Sequence, residues 1–307
     1  MEQEVDLIEE FKHGLLLTGM SSITVSQYPR VVGLLYDFVG GDLLGVTDEA
    51  LVRYLAHLQE KKLSQVTITR YFTILNIFYD FLVFKKHITA NPITSAFRRF
   101  YLRPRGKGHD VSQRRQCITV QQAKTLVESI WDPMDAAVVL LLLKTGLRRH
   151  ELSSLNVDDV DLKNMTIHVN PTGKRSNEIV YYDLETSIIL DRWLKLREKI
   201  NKNGSPALFL GRTGNRLSPP TINKIVKKHA EVVGLHDPKS KRLDKRLSAH
   251  ALRHYFSTRL REAGVPREFV KELRGDTGTD AIDAYLHIDK KKLKEAYMGL
   301  VPQLDLF

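Results

Sequence analysis

From Val5 to Lys86 apolar side chains return at helical spacing, the pattern of segments that lay one face against a core. Breaks near Gly19-Met20-Ser21, Gly40-Gly41-Asp42 and Lys62-Leu63-Ser64 divide this stretch into four predicted helices. In the fourth, Ile68, Tyr71, Phe72, Leu75, Phe78, Tyr79 and Leu82 share one face, which reads as core rather than as a base-stacking surface. Between Phe97 and Arg115 the periodicity is lost in FRRFYLRPRGKGHDVSQRR, an arginine-rich run broken by Pro104, Gly106 and Gly108. A second unit then begins, with Thr119 placed as an N-cap and a buried helix from Ala136 to Lys144 ending at Gly146. Two β-branched stretches, Met165 to Val169 and Glu178 to Tyr182, flank the turn NPTGKRSN and predict a hairpin. Helices are expected at Glu185 to Lys199, Thr221 to Val233, His250 to Ala263, Glu268 to Leu273 and Ile288 to Tyr297. The expected fold is mainly α with a small antiparallel β-sheet in the second unit. The chain divides into a helical domain (1–96), a basic linker (97–117), a second domain (118–298) and a tail (299–307).

Composition narrows what such a chain does. A net charge of +11 accompanies 42% hydrophobic residues over 307 positions, so the positive excess sits on a folded surface that attracts polyanions. Nucleic acid is the expected partner, with acidic lipid and a mere surplus of lysine as the alternatives. Arg70 lies among polar residues of the first helices, with Ser26, Gln27, Tyr28, Arg30, Thr67 and Thr69, suited to phosphate contact or to plain solvation. Arg98, Arg99, Arg103, Arg105, Arg114 and Arg115 of the linker are candidates to follow a DNA backbone, where each neutralised phosphate releases counterions. Cys117 is the single cysteine, which excludes an intrachain disulfide and a cysteine-based zinc site, and points to a reducing compartment. The longest apolar run, Ala136 to Leu143, is too short to cross a bilayer, so no membrane association is expected.

Four short motifs carry candidate chemistry. In TGLRRHEL, Arg148 and Glu151 stand three apart at a helix start, close enough for the carboxylate to orient the guanidinium. Lys174 occupies the hairpin tip in TGKRSNE, and SAHALRHYF puts His250 and Arg253 on one helix face with His254 beside them. Tyr285 lies in DAIDAYLH. Singly, each is ordinary: a decorated helix, a solvated lysine, a packed tyrosine. Asp158, Asp159 and Asp161 would suit a metal nuclease, but on a turn after a helix they read as caps.

In order, these motifs resemble the tyrosine recombinase family of the Xer and phage-integrase type, whose pattern is arginine with a following glutamate, a hairpin lysine, His-x-x-Arg and then tyrosine. TVSQYPRVVGLLYDFV and TITRYFTILNIFYDFLVFKKHITANP are similar to the family's N-terminal DNA-binding helices, and TGLRRHELSSLNVDDVDL and HALRHYFSTRLREAGVP to its catalytic signatures. The resemblance implies an N-terminal four-helix DNA-binding domain and a C-terminal catalytic domain. It implies site-specific recombination through a covalent 3′-phosphotyrosyl bond, without metal, ATP or other cofactor. Tyr285 would be the nucleophile, His250 the base, Lys174 the acid for the leaving 5′ oxygen, and Arg148 and Arg253 the clamp on the non-bridging oxygens. Tyr297 is the alternative nucleophile. The partners implied are a double-stranded recombination site and further copies of the chain, four in the synaptic complex, in the cytoplasm at the nucleoid. Alternatives are a type IB topoisomerase-like activity and a catalytically weak or silent DNA-binding protein.

One departure stands out. Leu273-Arg274-Gly275-Asp276 puts an aspartate where relatives carry a histidine, and an ionised aspartate donates no hydrogen bond to a phosphate. Either Asp276 supports the site through a local ion pair, with Arg274 or Lys271 or with a catalytic arginine that it holds in position, or activity is weakened; Lys271 and Arg274 also lie near enough to compensate. The tail residues Leu300, Val301, Leu304, Leu306 and Phe307 are expected to dock on a neighbouring protomer in the assembled complex, or to fold back on their own domain.

Overall fold

The computed structural model describes residues 2–103, 116–170, 175, 177–276 and 288–307, with side chains from residue 7 onward. The chain forms two compact units, residues 1–108 and 109–307.

The first unit contains α1 (Glu2–Leu17), α2 (Ser22–Phe38), α3 (Asp48–Glu60) and α4 (Gln65–Phe84), separated at the predicted breaks. Ser21, Thr47 and Ser64 each accept a hydrogen bond from a backbone N–H three residues on, which satisfies a donor that the first helical turn leaves unpaired. Phe11, Leu35, Leu51, Phe72, Leu75 and Phe78 fill the core, each worth about 1.5–3 kcal/mol of burial. By length and composition α4 is the one helix among the described residues that could cross a bilayer, a point that counting unbroken apolar runs overlooks. Its apolar face is instead the centre of this core, while Gln65, Arg70, Thr73 and Asp80 are exposed. Beyond it, α5 (Ser95–Phe97) passes into a π turn, Arg98–Leu102. Phe97 stacks on Phe72 at 5.5 Å and Leu102 is buried, so the helical unit extends into the arginine-rich stretch, leaving Arg98, Arg99 and Arg103 exposed on it.

The second unit opens with α6 (Val120–Glu128), capped reciprocally by Thr119 and Gln122. At its centre is α7 (Pro133–Thr145), buried on every side from Asp135 to Thr145, which is why its sequence shows no polar stripe. Next come α8 (Arg149–Ser154), β1 (Val160–Asp161), β2 (Thr166–His168) and β3 (Ile179–Tyr181). The strands form an antiparallel sheet in the order β1-β2-β3, with His168 opposite Ile179. The hairpin is the one expected; β1, two residues long, is too short to show alternation. Asp159 and Asp161 cap here, accepting from the backbone N–H of Asn156 at 2.7 Å and of Asn164 at 2.9 Å.

Packed around α7 and the sheet are α9 (Leu184–Ile200), α10 (Pro219–Val232), α11 (Ala249–Glu262), α12 (Arg267–Arg274) and α13 (Lys290–Leu300). The chain end folds back on its own unit: Leu293, Tyr297, Val301 and Leu304 are buried, and Glu185 accepts the backbone N–H groups of Leu304 at 3.0 Å and Leu306 at 3.1 Å. Lys144, itself buried, donates to Asp183 at 2.5 Å, Glu185 at 2.7 Å and the Pro302 carbonyl at 2.6 Å.

Candidate active site

The reversal after α7 sets the first arginine. Gly146 takes a left-handed conformation, φ +62°, and a Cβ there would run into the Phe256 ring, so glycine is required twice over. The turn leaves Arg148 as the N-cap residue of α8, and Glu151 at N3 accepts its backbone N–H at 2.7 Å. The other Glu151 oxygen accepts from Arg148 Nη1 at 2.8 Å, the pairing expected from their spacing. Buried Glu151 also accepts from Arg175 Nη1 at 3.1 Å.

The second arginine comes from α11, capped by Ser248. Arg253 is almost wholly enclosed and is held by two carbonyls, Gly146 through Nη1 and Arg274 through Nη2 at 3.0 Å. Burial, then the neighbouring Arg148 charge, pushes its pKa down to about 10, with Asp276 opposing; it is still a cation at neutral pH. Arg148 Nη2 at 2.8 Å and Arg253 Nη2 at 2.6 Å donate to one and the same oxygen, Oδ1 of Asp276. Its Oδ2 lies 3.0 Å from Arg274 Nε, a charge contact rather than an aligned hydrogen bond.

His250 sits exposed in the first turn of α11, its ring edge-on to His254 at 4.8 Å. His250, Arg148 and Arg253 line one open cleft of about 620 Å³, whose other walls include the cations Arg149, Lys227 and Arg246. Such a basic recess suits a phosphodiester: paired guanidinium forks match its non-bridging oxygens and an accessible imidazole can move a proton.

The structure thus gathers Arg148, Glu151, His250, Arg253 and Asp276 in one place. Lys174 and Tyr285 lie outside the described residues, as do Arg105, Arg114 and Arg115. Tyr297, the alternative nucleophile, is excluded: it is fully enclosed, its hydroxyl donates to the Lys144 carbonyl at 2.8 Å, and burial raises its pKa well above the usual phenol value. Arg70 belongs to the first unit, where it is exposed and donates to Gln27 at 2.6 Å. Sequence reading passed over Arg175, whose buried guanidinium also binds the carbonyls of Asn177 and, at 3.3 Å, Arg274. Nothing in a polar turn marks one arginine as buried; its only trace is Gly275, against which it lies.

Residues 116–292 match the phage integrase family, and residues 8–86 match the phage integrase N-terminal SAM-like domain. The tyrosine recombinase XerC of Pelotomaculum thermopropionicum is 31% identical over 284 residues, covering 85% of this chain and 86% of its own. Among solved structures, a lambda integrase dimer bound to a COC′ core site superposes with a TM-score of 0.69 at 16% identity, over 92% of this chain and 97% of its own. A lambda integrase tetramer bound to a Holliday junction gives 0.68 at 16% identity, over 91% and 76%. At such identities these two likenesses speak for the fold.

Proposed function

The chain belongs to the phage integrase family of tyrosine recombinases, enzymes that break and rejoin DNA in site-specific recombination, and from that premise we propose that Tyr285 is its nucleophile. The observation that carries this reading is the convergence of Arg148 Nη2 and Arg253 Nη2 on a single anionic oxygen. A non-bridging phosphate oxygen presents the same acceptor, and the fixed guanidinium forks would stabilise the charge that grows on it in the transition state. Glu151 holds Arg148 in place, and the Gly146 and Arg274 carbonyls hold Arg253. The Tyr285 hydroxyl attacks phosphorus while His250 accepts its proton; the bond to the 5′ oxygen breaks and Lys174 protonates that oxygen as it leaves. The phosphotyrosyl ester conserves the energy of the broken linkage, so a 5′-hydroxyl from another strand reverses the step without ATP.

The first unit, through Arg70, Arg98, Arg99 and Arg103, together with Arg105, Arg114 and Arg115 would grip the backbone of duplex DNA. Recombination joins two sites, and four copies on a paired site is the assembly we propose, in the cytoplasm at the nucleoid. Nicked suicide duplexes from a randomised pool, incubated with the protein and resolved on a denaturing gel, test the chemistry. Wild type should form a covalent adduct and Tyr285→Phe none, with DNA affinity nearly unchanged. An adduct surviving in Tyr285→Phe would place the nucleophile elsewhere, and none in wild type would favour a silent DNA-binding protein.

A further inference from the structure

Resting on that reading of the two-arginine clamp, we propose that Asp276 is an internal competitor for the scissile phosphate, and that it sets how well a DNA site must be seated before it is cut. Its Oδ1 takes one hydrogen bond from each guanidinium, at 2.8 Å from Arg148 and 2.6 Å from Arg253, so the carboxylate fills the clamp as an oxyanion would. Neither arginine depends on it for position. Arg148 is anchored by Glu151 through the other end of its fork, and Arg253 by the carbonyls of Gly146 and Arg274. Asp276 therefore consumes the donors rather than building their support.

Access points the same way. The Asp276 side chain is 29% exposed and that of Arg148 30%, against 4% for Arg253, so an incoming anion can reach Arg148 but meets the carboxylate before Arg253. A phosphate and a carboxylate at contact distance repel, and Arg253 Nη2, whose other N–H goes to the Arg274 carbonyl, has no donor left to hold both at once. When the carboxylate yields, Arg274, already 3.0 Å from Oδ2, offers it a second cation. Contacts along a correctly bound duplex would supply the free energy of displacement, whereas loosely bound DNA would leave the clamp filled, which suppresses cutting at wrong sites.

Asp276→Asn keeps the shape and removes the charge. With inorganic phosphate titrated into the full chain at constant ionic strength, and the thermal midpoint followed, the variant should half-saturate at about tenfold lower phosphate than wild type, the worth of one charge-assisted hydrogen bond. Its single-turnover adduct formation on a random-sequence nicked pool should rise by a similar factor. A second variant, Arg274→Gln, leaves the clamp intact and removes the alternative anchor, so phosphate binding should weaken several-fold. Equal or weaker phosphate binding in Asp276→Asn, or slower adduct formation, would overturn the proposal and make Asp276 an organiser of the arginines. If Asp276→Asn does not fold, an unchanged phosphate response in Arg274→Gln overturns it equally. The phosphate arm needs no DNA cleavage, so an adduct formed by neither wild type nor Asp276→Asn refutes the recombinase reading, while the competition for phosphate in the clamp is judged by the phosphate arm alone.

Discussion

Arg175 lies flat on the backbone of Gly275, and the two explain each other. Gly275 closes α12 with φ +62°, and a Cβ there would stand 2.7 Å from Arg175 Cγ. From this position the Arg175 guanidinium ties Glu151 to the Arg274 carbonyl, linking the orienter of one clamp arginine to the segment that carries Asp276. Gly275→Ala should cost about 1–2 kcal/mol of backbone strain and, by displacing Arg175, should also slow adduct formation. Gly264 is the control: its φ is +96° but a Cβ there meets nothing within 4 Å, so Gly264→Ala should lower the thermal midpoint without changing the adduct rate. Equal adduct rates in the two variants would mean that Arg175 has no part in ordering the site. Arg148, Glu151 and Arg253 were legible because they stand in motifs whose order along the chain is that of the family, with a three-residue spacing that pairs Arg148 to Glu151. Arg175 was not, since its partners Glu151 and Arg274 are far away in sequence and a hairpin-turn arginine is ordinarily solvated.

At the scale of the element, α13 and the segment after it replace one expectation with a definite contact. The apolar tail residues were expected on a neighbouring protomer or on their own domain; in the single chain Val301 and Leu304 are buried and the backbone of Pro302 and Leu304 meets Lys144 of α7 and Glu185 of α9, while Leu300 and Phe307 stay exposed. Burial alone would raise the Glu185 pKa, but Lys144 and the N–H groups of Leu304 and Leu306 prevail and hold it below the usual carboxylate range. A depressed folded pKa means that the ionised form stabilises the docked tail. That stability is complete above the unfolded-chain value and is lost as pH falls through the folded one. The thermal midpoint of wild type should therefore drop more than that of Glu185→Gln between about pH 6 and about pH 3, the range in which carboxyl groups titrate. Parallel curves would show that the carboxylate does not hold the tail. The helices around it were readable from periodicity and caps, whereas β1 and the docking of the tail depend on what lies opposite them in space.

At the scale of the whole molecule, the +11 charge is divided between two bodies with separate cores. Arg98, Arg99 and Arg103 stand exposed on the first, and Arg149, Lys227 and Arg246 line the cleft of the second. If binding neutralises about six phosphates, affinity for duplex DNA should fall about 10³-fold between about 50 and about 200 mM salt. Replacing both Arg98 and Arg99 by alanine should flatten the slope of log affinity against log salt by about two. An unchanged slope would remove that turn from the DNA interface.

The sequence by itself determined the helical layout, the hairpin and the family, because each rests on local order: apolar period, caps, turn residues, and motifs that follow one another along the chain. It also marked Asp276 as the odd residue, offering Lys271 and Arg274 as neighbours able to compensate. Only the tertiary structure decided that Asp276 binds both clamp arginines besides Arg274, that Tyr297 is shut in the core, and that Arg175 is buried. Those facts depend on which groups meet across α7, α8, α11, α12, α13 and the sheet. Such contacts join residues 128 apart in sequence for Arg148 and Asp276, and 153 apart for Lys144 and Tyr297, and no local pattern of spacing encodes a distance of that kind.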